Sequence, residues 1–196
     1  PIPRLRSRYL QTKWIAKSIA MPSESVDLIY LDPPFNSQQT YNTVFRERSS
    51  AAQRQAFVDI WNWDDKAARA YDDLIAPASS APPALREAMQ FLHRYFGSGR
   101  RDDMAYPAMM AIRLLELHRV LKDTGSLYLH CDPTASHMLR LILDAIFGAG
   151  RFVNEIIWKR SGAHSSAKGY GPVHDVLLFY TKSSTYTWNP QLGEYS

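Results

Sequence analysis

Residues 26–31, Val-Asp-Leu-Ile-Tyr-Leu, form an apolar, β-rich run that reads as a buried strand, and Asp32-Pro33-Pro34-Phe35 follows it without a break. Proline has no N–H to give a sheet ladder and locks φ, so the strand must end there in a stiff loop. A carboxylate and an aromatic ring then stand at the carboxyl end of a strand, where open α/β sheets place their chemistry. Asp32 and the Pro33 carbonyl can converge as two acceptors, with Phe35 as a flat wall beside them. Two acceptors and a stacking face suit a planar group bearing an NH2, such as the exocyclic amine of adenine or cytosine. Taken alone, the four residues equally describe a proline turn with a solvated acid and a core ring.

The remainder of the chain separates these readings. In order come Asn36-Ser37, Tyr41-Asn42 and Phe45, then Gly125-Ser126-Leu127-Tyr128-Leu129-His130-Cys131-Asp132-Pro133, then Asn154-Glu155-Ile156-Ile157-Trp158-Lys159-Arg160, then His174-Asp175-Val176-Leu177-Leu178-Phe179-Tyr180. From about Pro22 to Trp188 this series resembles the β-class DNA amino-methyltransferases, which methylate adenine N6 or cytosine N4. The resemblance implies an α/β chain with a partial Rossmann-like methyltransferase fold, its sheet mostly parallel with flanking helices and an antiparallel final strand. It implies S-adenosylmethionine as cofactor, double-stranded DNA as substrate and a restriction subunit as possible partner. It makes Asp32, Pro33, Pro34 and Phe35 the catalytic set, with Asp32 also a candidate cofactor contact. Asn36, Tyr41, Lys159, Arg160 and Lys168 become the substrate-binding set. Asp in the first position points to adenine, whereas Ser there is typical of cytosine enzymes. Phe35 replaces the Tyr common in the family, which keeps the ring face and loses the hydroxyl.

An exocyclic amine is a poor nucleophile because its lone pair is conjugated into the ring. Hydrogen bonds from its two N–H groups to Asp32 and the Pro33 carbonyl favour a pyramidal nitrogen, leaving positioning and electrostatics to drive methyl transfer. The base must leave the duplex to be reached, and Phe35 would stack on it.

Charge and composition are compatible with this. A chain of 196 residues with 45% hydrophobic content can bury one core, and a net charge of +4 permits an anionic partner. Arg4, Arg6, Arg8, Lys13 and Lys17 all precede the first acid, Glu24, so residues 1–21 form a basic N-terminal segment. That segment reads equally as a solubilising face or a nucleic-acid contact. Arg151, Lys159, Arg160 and Lys168 make a second basic stretch. The single cysteine, Cys131, excludes an internal disulfide framework. No apolar run approaches the roughly 18 residues of a membrane span, and the first residues lack the apolar core of a signal peptide, so a cytoplasmic, membrane-free protein is expected.

Further elements follow from periodicity. Residues 57–64 read as an aromatic, irregular loop, and 64–103 as a helical and loop insertion in which Leu85, Met89, Leu92 and Phe96 recur at helical spacing. Met110, Leu114, Leu117 and Leu121 mark a longer helix ending near Lys122, with Gly125 in the turn beyond. Residues 126–131 form the second strand. Asp132-Pro133 reads as an N-cap and first-turn proline, followed by the stripe Leu139, Ile142, Leu143, Ile146 and Phe147, with Gly148 as the stop. Residues 152–158 and 175–180 are the third and fourth strands, joined by a Gly/Ser/Lys-rich loop.

Other features have plainer readings. Phe96-Gly97-Ser98-Gly99 imitates the family's cofactor loop but follows a helical repeat, so it reads as a helix end; Gly148-Ala149-Gly150 follows a helix too. His130, Cys131 and Asp132 alternate faces on a strand and lack a second ligand cluster, so no metal site is expected. Cys131 is not needed as a nucleophile, Trp61 and Trp63 read as core, and His164 and His174 as structural or backbone-contacting. A true cofactor loop should follow the catalytic half in this family, and residues 9–20 lack the usual upstream Gly-Asp turn. Residues 22–196 are therefore expected to be the catalytic half of a methyltransferase domain, inactive alone and paired with a C-terminal half. The rival readings are an RNA or protein-amide methyltransferase, and a non-catalytic or split-subunit DNA-binding fragment; Asp at position 32 opposes the protein-amide option, whose enzymes usually carry Asn.

Overall fold

The strand β1 (Val26–Leu31) buries Ile29 and Leu31 and leaves Leu28 and Tyr30 more than half exposed, the alternation a half-covered strand requires. The computed structural model describes residues 21–34, 39–47, 50–59, 61–97, 101–160 and 173–190, and of 39–47, 50–59 and Arg101 the backbone alone. After β1 comes an antiparallel hairpin, β2 (Gln39–Glu47) and β3 (Ser50–Asp59), which forms a two-stranded sheet of its own. Helices α1 (Asp65–Ile75), α2 (Pro83–Phe96) and α3 (Arg101–Val120) lead to β4 (Leu121–Cys131). Helix α4 (Pro133–Phe147), a short 3-10 turn, β5 (Phe152–Lys159) and β6 (His174–Thr181) complete the chain.

The main sheet has the order β1-β4-β6-β5. β1 and β4 run parallel, with Ile29 beside Leu127 and Leu31 beside Leu129. β6 is antiparallel to β4 on one side and to β5 on the other. The expectation of a mostly parallel sheet is thus corrected to a mixed one. The reversed final strand inserts between β4 and β5 rather than at an edge, which turns both of its pairings antiparallel.

The helices cover one face. Buried Leu85, Met89 and Leu92 of α2, Leu114 of α3 and Leu139, Ile142 and Leu143 of α4 join Leu127, Leu129, Leu178 and Tyr180 of the sheet in one core. Each fully buried leucine there contributes about 1.5–3 kcal/mol. Tyr180 also donates from its hydroxyl to Asp144 Oδ1 at 2.6 Å, fastening α4 to β6. The helix ends follow their local chemistry. Asp64 and Asp132 cap α1 and α4 through their carboxylates, and Pro133 occupies the first turn of α4. Gly97 and Gly148 close α2 and α4 with φ of 59° and 91°.

Several boundaries differ from expectation. Residues 57–59 belong to β3, so the aromatic stretch is irregular only beyond it. Helix α3 stops at Val120, and Leu121 opens β4 instead of ending the helix. Regular pairing with β1 nevertheless starts at Ser126, because the register breaks between Val26 and Leu28 and residues 122–125 sit in the irregularity. Trp61 and Trp63 pack edge-on against Tyr106 and Tyr71 at the rim of the core.

Candidate active site at the carboxyl end of β1

Four strand ends meet at one edge of the sheet. β1 and β4 arrive by their carboxyl ends, β6 leaves by its amino end, and β5 arrives beside it, with Trp158 opposite Asp175 and Lys159 opposite His174. The parallel register Tyr30–Tyr128 and Leu31–Leu129, continued one step, brings Asp32 beside His130.

There, Asp32 Oδ1 lies 3.1 Å from His130 Nδ1. The imidazole's other nitrogen, Nε2, lies 3.3 Å from Asp175 Oδ2, and Asp175 Oδ1 lies 3.3 Å from an Arg160 guanidinium nitrogen. The row Asp32–His130–Asp175–Arg160 thus crosses β1, β4, β6 and the end of β5. Burial is graded along it: the Asp175 side chain is 6% exposed and that of His130 18%, whereas that of Asp32 is 59% exposed. A buried carboxylate needs paired partners, and Asp175 accepts from the Arg160 guanidinium with the His130 ring beside it. Asp32 presents its carboxylate to solvent, with room for an incoming N–H donor.

Two neighbours feel this charge. Burial and then the Asp32 carboxylate raise the Tyr30 phenol above its ordinary range. Burial, reinforced by Asp132, Glu155 and Asp175, pushes the Cys131 thiol up to about 12, so it stays protonated and unreactive at neutral pH. Beside the row, Tyr128 stacks on Phe179 at 4.4 Å, and Trp188 also lies stacked against Phe179 at 6.1 Å.

The residues singled out by sequence fall unevenly here. Pro33 and Pro34 are half-buried in the loop leaving β1. Tyr41 lies on β2 opposite Phe57, next to a register shift, with its backbone alone described. Lys159 ends β5 and is exposed, and the Arg160 N–H closes the mouth of the hairpin on the Val173 carbonyl at 2.9 Å. Phe35, Asn36 and Lys168 lie outside the described residues. His130 and Asp175 join the site without having been expected there. The only signal for His130 is its place on the face of Tyr128, which becomes the face of Asp32 only once the strands are paired. Asp132, by contrast, is occupied as a cap: its Oδ1 accepts from the Thr134 and Ala135 N–H groups, both at 3.1 Å.

A cradle for a nucleoside cofactor needs glycines that follow a strand and open a helix. Gly97 and Gly148 each close a helix instead, so neither of these two residues fits such a cradle.

Comparison with known proteins places the site in context. Residues 26–195 match the family described as DNA methylase. The chain belongs to this family. It is 27% identical over 162 residues to the Mod subunit of the type III restriction-modification enzyme StyLTI from Salmonella typhimurium, a match covering 82% of the chain and 21% of that protein. It is 25% identical over 185 residues to the type II methyltransferase M.EcaI from Enterobacter cloacae, covering 91% of the chain and 30% of the relative. The EcoP15I Mod subunit from Escherichia coli is 21% identical over 164 residues, covering 82% and 21%. The chain therefore spans between about a fifth and a third of the length of these relatives. The described residues contain no helix long and apolar enough to cross a membrane.

Proposed function

We propose that this chain carries the amine-binding part of a site-specific DNA methyltransferase acting on adenine N6, in a bacterial restriction-modification setting. The observation that supports it best is the solvent-facing Asp32 carboxylate at the carboxyl end of β1, in a chain of the DNA methylase family. Asp32 accepts one N–H of the flipped amine and the Pro33 carbonyl accepts the other. The nitrogen lone pair is thereby less committed to the ring and better aimed at a methyl carbon. Pro34 stiffens the loop so that this geometry exists before the base arrives, and Phe35 stacks on the base. Lys159, Arg160 and Lys168, with Asn36 and Tyr41, hold the DNA around the flipped nucleotide.

S-adenosylmethionine is the proposed donor and supplies an electrophilic methyl when bound. Its cradle is not assigned to any described glycine, and the residues of this chain act on the amine and the DNA around it. Names of relatives that are Mod subunits support a restriction partner and double-stranded DNA as the substrate. A cytoplasmic location fits that role.

The test uses the full-length gene product, labelled S-adenosylmethionine and duplex DNA. Asp32→Ala should abolish methyl transfer while DNA affinity, dominated by phosphate contacts, changes little. Chromatography of the digested product should show N6-methyladenine. Turnover by the Asp32 variant would sink the amine reading. N4-methylcytosine as product would overturn the choice of base, and DNA binding without any transfer by the unaltered protein would favour a binding fragment.

A further inference from the structure

We infer that His130 is a positioning residue for Asp32, and that Asp175, anchored by Arg160, holds the imidazole in place. This rests on the amine reading of Asp32. An exposed carboxylate at the end of a strand has free rotation about its side-chain bonds, and an acceptor that wanders is a poor organiser of a reacting nitrogen. A displacement of about 1 Å at such a group can cost on the order of 100-fold in rate. His130 Nδ1, 3.1 Å from Asp32 Oδ1, restrains one oxygen and leaves the other to face the amine. Behind the ring lies the buried Asp175, its Oδ2 3.3 Å from Nε2 but outside hydrogen-bond geometry, so the acid limits the ring by packing and charge, and Asp175 is in turn flanked by Arg160. This is the arrangement by which a second layer of groups fixes the orientation of the group that touches substrate. It also places His130 and Asp175 on two paired strands of one sheet, which are stiffer than the loop they steady.

A merely structural cross-link between strands predicts something different, and the asymmetry of the imidazole separates the two. In His130→Asn the side-chain amide can reach the place of Nδ1 and donate to Asp32, while the arm toward Asp175 is lost. In His130→Leu both contacts vanish at similar volume. Single-turnover methyl transfer by the full-length gene product should fall about 100-fold in His130→Leu. His130→Asn should recover most of that loss, and DNA affinity should remain within about 2-fold in both. Should Asp32→Ala be inactive while His130→Leu turns over at the unaltered rate, the positioning role is wrong and the amine reading stands. Equal losses in His130→Leu and His130→Asn would also overturn it. An active Asp32→Ala variant would remove the amine reading and this inference together. Nitrogen NMR of the His130 ring gives a readout independent of activity and of how well the Leu variant folds. Asp32→Asn should shift the Nδ1 resonance and Asp175→Asn chiefly the Nε2 resonance, and an Nδ1 signal indifferent to Asp32→Asn would refute the contact.

Discussion

Arg160 reaches back across the mouth of the β5–β6 hairpin to Asp175, its guanidinium nitrogen 3.3 Å from Oδ1, while the adjacent Lys159 stays exposed at the strand end. Two neighbouring cations that look equivalent in the sequence therefore have different work. Lys159 offers a whole charge to a phosphate, whereas Arg160 already shares its charge with a buried acid.

This difference is measurable as a salt slope. Lys159→Ala should reduce the slope of log K against log salt for DNA binding by up to about one unit. Arg160→Ala should reduce it by less. It should also lower stability by about 1–3 kcal/mol, because Asp175 keeps its burial and loses a partner. Equal slopes for both variants and unchanged melting would show that the pairing is absent in solution.

Asp32 and Asp132 both stand at the carboxyl ends of strands followed by proline, yet their roles differ. Asp132→Ala should cost about 0.5–2 kcal/mol through loss of the α4 cap. Methyl transfer at a temperature where the variant remains folded should persist. Loss of transfer without loss of stability would reassign Asp132 to the reaction.

Gly97 and Gly148 end helices at positive φ, and no cofactor role is assigned to them. Alanine at either position should destabilise the fold by about 1 kcal/mol through backbone strain. The affinity for S-adenosylmethionine, read by calorimetry on folded variants, should not change. A selective drop in affinity would mark a cradle at that glycine.

Gly125 sits in the irregular start of β4, where an added Cβ would lie 2.6 Å from the Leu121 Cδ1 and 2.9 Å from the Lys122 carbonyl oxygen. The side chain can move but the carbonyl is backbone. Gly125→Ala should therefore destabilise by about 1–3 kcal/mol, seen as a lower melting temperature. An unchanged melting point would mean that the bulge relaxes freely.

Cys131 supplies a pH signature. Its thiol is raised from an ordinary 9.0 to about 12 in the fold, so the unfolded chain gives up that proton first as pH rises. Its contribution to stability is fully present below pH 9 and is lost as pH climbs toward 12. Alkylation at pH 8 should be slow in the native chain and fast in denaturant. Rapid labelling of native protein would contradict the burial of Cys131.

Much of this molecule is decided within a few residues of chain. Two prolines after a strand forbid its continuation, so Asp32 has to stand at the end of β1. Asp132-Pro133 starts α4 and Gly148 stops it, because a carboxylate meets free N–H groups in one case and positive φ is tolerated in the other. The recurrence of Leu85, Met89, Leu92 and Phe96 predicts a buried face, and those residues are buried. The β2–β3 hairpin is less legible. Gln39–Glu47 mixes polar and apolar residues without a clean period of two, and Ser50–Asp59 opens on small and polar ones.

Partners across the sheet belong to another level. A period of two tells which residues share a face of a strand, but it says nothing about which strand lies alongside or in what direction. His130 reaches Asp32 because β4 pairs parallel to β1 in one register, and a slip of one residue would turn its ring to the helix side. Asp175 meets that ring because β6 inserts between β4 and β5, which also makes the sheet mixed. The reactive carboxylate is thus a property of local chain chemistry, whereas its support is assembled from residues about 100 and 140 positions away. Only long-range pairing, driven by burial of the helix-covered face, brings them within hydrogen-bonding distance.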